Sequence, residues 1–310
     1  MNENQDETIQ GFWHDLERDG GDVELWNIYC DYLEDQSPPQ SESTRLWLAQ
    51  RSSALGEESR SRLNELLTMG RRPLLPRRVN SIGIEFVFVP RGTFWMSEDG
   101  ENAQREAHID HDFYLGIYQV TQEQWESVIG ENPAWHTRSG HRRARVSHIS
   151  DDDLKRFPVE RVSWDNVQEF IYQLNEIEIM DKSGLRYRLP YENEWEYACR
   201  GAVRSKEDCN YDFYLATATD RLTSNEAACD LNPWRPSPVG SFEPNILGIH
   251  DMHGNVMEWC QDENADGTER VVRGGNWEVA PLFCRAARRS SLGRTFRYEN
   301  VGFRLLATAL

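Results

Sequence analysis

The sequence is short of cysteine, of basic residues and of long apolar segments. Its six cysteines are scattered without a CxxC pair, so no spacing typical of a zinc site is present. Lys and Arg total 34 against 52 Asp and Glu, and the formal net charge is -18. This balance argues against nucleic acid or an anionic membrane as a partner, because phosphate binding needs a basic face. No apolar run approaches transmembrane length and no secretory signal is seen, which predicts a cytoplasmic protein.

Aromatic residues are plentiful, with 11 Trp, 11 Tyr and 12 Phe, and hydrophobic residues make up 38% of the chain. This profile is typical of a globular protein, because it supplies apolar surface that offsets the entropy lost on folding. A length of 310 residues allows one large domain and one small one, each with its own core.

Residues 1–42 contain twelve acidic residues and one basic residue, Arg18. Apolar residues recur at helical spacing in VELWNIYCDYLED and again among the leucines that follow. We predict two or three helices up to about residue 69, which form an acidic helical domain over 1–70. The segment 71–78, RRPLLPRR, breaks the helical period with two prolines and is interpreted as a linker.

The pattern changes after the linker, and we assign 79–310 to a second domain. Two helices are predicted from about 121 and 163, since each begins with a hydroxyl residue, a glutamate and then apolar residues at helical spacing. Short strands, long loops and two helices predict a loop-rich α+β domain. The strand candidates are 84–89, 94–96, 113–120, RVVRGG and VGFRLL.

The histidines offer no clear metal site. His108 and His111 form an HxxH pair, but in a strand side chains three apart point to opposite faces. His136, His141 and His148 lie in a basic insert, where solvated loop residues are the simpler interpretation.

Seven motifs follow one another in the second domain: FVFVPRGTFWM, YQVTQEQWESVIGENP, FPVERVSWDNVQEFIYQLN, YRLPYENEWEYACRG, NILGIHDMHGNVMEWCQD, RVVRGGNW and NVGFRLL. This series resembles the formylglycine-generating-enzyme, or sulfatase-modifying factor, superfamily. The resemblance implies a variant of the C-type-lectin fold. In the first domain, DVELWNIYCDYLED and STRLWLAQ are similar to a short helical module found repeatedly in planctomycete-type bacteria, which suggests a bacterial source.

The GIHDMHGNVMEW motif carries candidate calcium ligands. Its glycines permit tight turns, and Asn255 and Glu258 are spaced to point oxygens at one hard cation. The resemblance implies a structural calcium ion held by these two side chains and backbone carbonyls. It also suggests a second calcium site at Asn225 and Asp230. An Asx-turn beside a surface acid is the alternative for the first site.

The resemblance further implies a copper ion held by two cysteines shortly after the GG-aromatic turn. Here the first of those positions is Val279, and Cys284 matches a later, structural cysteine of the family. One thiolate cannot provide the two-sulfur ligation that suits copper(I). Copper is therefore not expected, and a non-catalytic recognition module is the leading hypothesis.

A binding surface is predicted beside the same turn, where the resemblance places substrate peptide. Aromatic and arginine residues dominate binding hot spots. The candidates here are Trp277, Phe283, Arg285, Phe296 and Tyr298. We expect a protein or peptide partner and leave the oligomeric state open. One alternative is an oxidoreductase of the same family with altered metal ligands, and another is a variable binding protein whose residues 276–299 are diversified by a retroelement.

Overall fold

The computed structural model describes residues 3–53, 55–97, 104–181, 184–230 and 234–309. Its helices are α1 (Glu3–Arg18), α2 (Val23–Gln36), α3 (Pro38–Ser52), α4 (Glu57–Thr68), α5 (Gln122–Ile129), α6 (Arg143–Val146), α7 (Asp151–Lys155), α8 (Trp164–Asp181) and α9 (Glu192–Cys199), with a 3-10 turn at Pro281–Cys284. Its strands are β1 (Arg77–Val79), β2 (Glu85–Val89), β3 (Gly92–Ser97), β4 (Gln104–Ile109), β5 (Phe113–Gly116), β6 (Leu185–Arg188), β7 (Phe213–Tyr214), β8 (Ala218–Thr219), β9 (Met257–Glu263), β10 (Arg270–Arg273), β11 (Ser290–Leu292), β12 (Val301–Gly302) and β13 (Leu306–Ala309).

The described residues before 69 form four helices, where the sequence predicted two or three. The residues at helical spacing that led to this prediction lie mainly on α2, α3 and α4, and α1 is a helix that was not predicted. Helix α2 begins where the Asp22 side chain accepts the backbone N–H groups of Glu24 and Leu25. Helix α3 follows directly, with a proline at its first position.

These helices share a core with the rest of the chain. Trp47 of α3 is buried, and its indole N–H donates to Gly201 O at 3.0 Å. Arg51 Nη2 donates to Arg91 O at 2.8 Å. The segment 71–78 leads into β1 and buries Leu75. The helices are therefore packed on the second domain, and the boundary at 71–78 stays a prediction.

In the described part of the chain, two sheets frame the second domain. Five strands pair in the order β1-β2-β5-β13-β6, so β13 lies between β5 and β6. Four strands pair in the order β11-β10-β9-β12, and β9 is antiparallel to β10 but parallel to β12. The hairpins β3-β4 and β7-β8 are separate. The second sheet carries the GIHDMHGNVMEW motif into β9 and so positions the candidate site.

Both predicted helices of the second domain are confirmed as α5 and α8. Thr121 caps α5, because its hydroxyl accepts the N–H of Gln124 at 3.3 Å while the Gln124 side chain accepts the N–H of Thr121 at 3.0 Å. Helix α9 is a further helix of two turns. No helix of the described residues combines the length and apolarity needed to cross a bilayer.

The strand predicted over 113–120 is shorter than expected, because regular pairing ends at Gly116. The stretch around the HxxH pair is also divided. His108 lies on β4 and His111 lies in the connection to β5, so the single strand predicted there is two strands.

Candidate functional site

The turn after β10 depends on two glycines. Gly274 and Gly275 have φ angles of 90° and 69°, which favour glycine. A Cβ atom on Gly275 would lie 2.5 Å from Cys284 Sγ, so the turn packs directly on the 3-10 turn. Trp277 follows the turn, is only 1% exposed and donates its backbone N–H to Asn255 O at 2.9 Å. Trp277 was predicted as part of the binding surface, but its side chain is buried in the core and cannot contact a partner directly.

His136 is buried against Trp277, so its interpretation as a solvated loop residue is wrong. Its Nδ1 lies 3.2 Å from Glu160 Oε1, which also accepts the backbone N–H groups of Trp135 and His136. Burial raises the pKa of Glu160. Within the described residues, His136 Nε2 and Glu160 Oε2 have no hydrogen-bond partner. Sequence reasoning missed this pair because the two residues are brought together only by the fold.

Phe296 and Tyr298 form an exposed ring pair, called here the aromatic pair. Their side chains are 50% and 45% exposed, and their ring centroids lie 5.6 Å apart. The backbone beneath them is fixed, since Tyr298 O accepts the N–H of Arg161 at 2.9 Å and Phe296 N donates to Gly293 O at 2.9 Å. The pair is therefore presented by an ordered segment.

Phe283 and Arg285 lie on a second patch. Phe283 is 42% exposed beneath the Arg288 guanidinium, and Arg285 lies 3.7 Å from Asp212. Among the described residues no ring contact joins Phe283 to the aromatic pair. The structure thus divides the predicted surface into two exposed patches and buries Trp277.

Glu258 is fully buried on β9 and is surrounded by N–H donors. Its Oε2 accepts from Trp195 Nε1 and Arg304 Nε, each at 2.7 Å. Its Oε1 accepts from Arg304 Nη2 at 2.8 Å and from Gln119 Nε2 at 2.9 Å. The carboxylate charge is therefore balanced by a buried guanidinium.

Asn255 is also buried, and its side chain bonds the backbone of Ser237 and not the neighbours of Glu258. Its Oδ1 accepts the N–H of Ser237 at 3.0 Å and its Nδ2 donates to Ser237 O at 3.2 Å. Because Ca²⁺ takes six to eight oxygen ligands at about 2.3–2.6 Å, the two side chains as arranged do not fit a shared calcium ion. The calcium assignment at Asn255 and Glu258 stays a prediction.

Asn225 and Asp230, predicted as a second calcium site, are both exposed. Asp230 has a φ angle of 47° and donates its N–H to Val279 O at 2.9 Å. In the described ranges, no three His, Cys, Asp or Glu side chains converge in a way that could hold a metal ion. This second site also remains a prediction.

Cys284 has a second thiol beside it. Cys229 and Cys284 lie together in a small buried cluster with Phe213 and Leu222, where each thiol acts on the pKa of the other. This contact, together with burial, raises the pKa of Cys284, and the same contact lowers the pKa of Cys229. The sequence analysis considered Cys284 alone, since the two cysteines lie far apart in the chain.

The chain is similar to several known proteins. It is 31% identical over 241 residues to the chaperone protein LppX of Paenibacillus barcinonensis. The aligned region covers 64% of this chain and 80% of LppX. It is 24% identical over 312 residues to the formylglycine-generating enzyme of Mus musculus, covering 79% and 78%. It spans only about a third of the length of the Chlamydia serine/threonine-protein kinases it also matches, 35% in Chlamydia caviae.

Among solved structures, Treponema denticola variable protein 1 matches with a TM-score of 0.60 and 22% identity, covering 77% of this chain and 100% of that one. This likeness confirms the predicted fold, the formylglycine-generating-enzyme-type variant of the C-type-lectin fold. The family described as the sulfatase-modifying factor enzyme 1-like domain matches residues 73–309. The chain therefore belongs to that family.

Proposed function

We propose that this chain is a non-catalytic recognition module that binds a protein or peptide at the aromatic pair. The observation that carries the proposal is the exposure of Phe296 and Tyr298 on a segment whose backbone is hydrogen-bonded in place. A few residues supply most of the binding energy of a protein interface, and aromatic side chains are enriched among interface residues. An ordered segment also loses little entropy when a partner binds.

The charges beside the pair suggest the kind of partner. Arg294 is paired with Asp165 at 2.6 Å, whereas exposed Arg297 makes no ion pair within the described residues. We expect a peptide that carries an apolar anchor next to a carboxylate, because such a peptide satisfies both the rings and Arg297. The name of the relative LppX, a chaperone protein, supports protein binding. A cytoplasmic location remains the prediction from composition.

The test is selection of a displayed random-peptide library on the whole chain. We expect enrichment of peptides with an apolar residue beside Asp or Glu. The double variant Phe296→Ala/Tyr298→Ala should bind these peptides at least about tenfold more weakly, as expected when hot-spot side chains are removed. Phe283→Ala shows whether the second patch takes part.

Tyr172→Ala is the matched control, since Tyr172 is a similarly exposed aromatic residue on α8. Its affinity should equal that of the parent. Failure to enrich any peptide, or equal affinity of the parent and the double variant, would refute the proposal.

The Cys229–Cys284 pair favours a second candidate, an oxidoreductase with altered ligands. Two neighbouring sulfurs are the donor set that copper(I) prefers. Titration with copper(I) against a competing chelator tests it, with Cys284→Ser as the variant and Cys30→Ser as a control at another buried thiol. If the parent binds copper(I) stoichiometrically and consumes oxygen with a cysteine-containing peptide, and if Cys284→Ser abolishes this binding, the oxidoreductase replaces the recognition proposal.

A near-identical template repeat beside the gene would support the variable-protein alternative.

A further inference from the structure

Four oxygen atoms, three from the turn before β9 and one from Glu258 on β9, surround the carboxamide nitrogen of Gln119. This nitrogen lies 2.9 Å from Glu258 Oε1 and 3.0 Å from Val256 O, while Gly254 O and Asp251 O lie at 3.4 and 3.5 Å. The two short contacts match the two hydrogens of a carboxamide. Because all four neighbours are acceptors, the nitrogen end of Gln119 is the end that faces them.

The distances and charges at this point suit an N–H donor. Oxygens that ligate Ca²⁺ lie about 2.3–2.6 Å from it, and contacts of 2.9 and 3.0 Å are those of ordinary hydrogen bonds. The negative charge of Glu258 is already met by Arg304, which contacts both carboxylate oxygens. Arg304 thus supplies to Glu258 the countercharge that a cation would otherwise supply.

Gln119 is fully buried, and its own oxygen, Oε1, has no hydrogen-bond partner within the described residues. An orphaned buried acceptor is unfavourable. Turning the amide round would set this oxygen against four other oxygens, an arrangement that only a bound cation could stabilise. The side chain therefore has two possible states, which differ in whether a cation is present.

We propose that the carboxamide of Gln119 occupies the position of a cation in this turn, so that the domain folds stably without calcium. The turn keeps converging oxygens of the kind that a hard cation binds, and a neutral N–H donor satisfies them. Calcium independence is thus a property of one residue that lies far in sequence from the turn. This inference is independent of the proposed recognition function.

The test compares the parent with Gln119→Glu. For the parent we expect a flat calcium isotherm and the same Tm in calcium and in chelator. Gln119→Glu places a carboxylate against Glu258 and the carbonyls, so its Tm should fall in chelator and recover by several degrees when calcium binds the native state. Terbium gives a second readout, since the Trp195 indole contacts Glu258 and should sensitise the luminescence of a bound ion.

Gln122→Glu is the control, because Gln122 is another buried glutamine, with its amide against Asn132 and His136. Its Tm should not respond to calcium. Stoichiometric calcium binding by the parent, with a Tm that falls in chelator, would overturn the proposal. The proposal would also be overturned if Gln119→Glu folds but its Tm does not respond to calcium and it does not bind terbium. If Gln119→Glu does not fold, the parent isotherm alone decides between the two states.

Discussion

Two sets of charges in this domain contrast sharply. Inside, Glu258 pairs with Arg304 and Glu196 pairs with Arg200 and Arg273, and all five side chains are buried. Outside, near the aromatic pair, Arg294 and Asp165 form an ion pair that is largely exposed. Breaking a buried pair strands a charge in a low dielectric, whereas water takes over the partners of an exposed pair. The interior charge pairs therefore stabilise the turns, whereas the surface charges can exchange their partners at little cost when another molecule binds.

The largest effect is expected at Arg304. Arg304→Met leaves Glu258 buried without its countercharge and should lower the free energy of unfolding by about 3–5 kcal/mol. Urea denaturation measures it. The control Arg294→Met removes an exposed arginine and should cost less than about 1 kcal/mol. If the two variants lost equal free energy of unfolding, the buried and the exposed arginine would contribute alike to stability, and the contrast between the two sets of charges would be wrong.

A smaller effect is expected from pH, through His250. Burial lowers the pKa of His250 to about 4, with its Nδ1 2.8 Å from Phe242 O and its ring stacked on Tyr118. The folded-state pKa is depressed, so the unfolded chain binds more protons between about pH 4 and 6.5. The stabilisation by neutral His250 is complete above about pH 6.5 and is lost as the pH falls towards 4.

Between about pH 7 and pH 4, the parent should lose about 2 kcal/mol more stability than His250→Gln, as measured by denaturation at each pH. His14→Gln, at an exposed position on α1, serves as the control and should follow the parent. Identical pH profiles for the parent and His250→Gln would show that His250 titrates normally in the fold.

The smallest effect is expected at the aromatic pair itself. Phe296→Ala and Tyr298→Ala should each change the free energy of unfolding by less than about 1 kcal/mol, because both rings are half exposed. The same urea titrations measure it. If either variant lost as much free energy of unfolding as Arg304→Met, the aromatic pair would belong to the core and not to a surface that is free to bind a partner.

Local signals predicted what local contacts decide. The caps and apolar spacing located α5 and α8, and short apolar runs located β2 and β3, because these patterns act over a few residues. Helix α1 was missed although Ile9, Phe12, Trp13 and Leu16 recur at helical spacing and pack on the core, because the acidic residues around them were interpreted only as a solvated face.

The site was predicted less completely, because its contacts are long-range. The motif identified Glu258, but no pattern linked it to Gln119 or Arg304, which lie far away in sequence. The burial of His136 likewise depends on Glu160 and Trp277, which come from other loops. Spacing can suggest that two residues share a turn, but it cannot tell what faces them from across the fold.

The position of β13 has a consequence for how the chain is made. Strand β13 pairs with β5 on one side and β6 on the other, although both are synthesised long before it. While the chain grows on the ribosome, β5 and β6 therefore present unpaired edges to their surroundings. The sheet can close only after residues 306–309 have emerged, so native folding is delayed until synthesis has passed this strand. During that interval the nascent chain is most exposed to aggregation, and a chaperone would have most to protect.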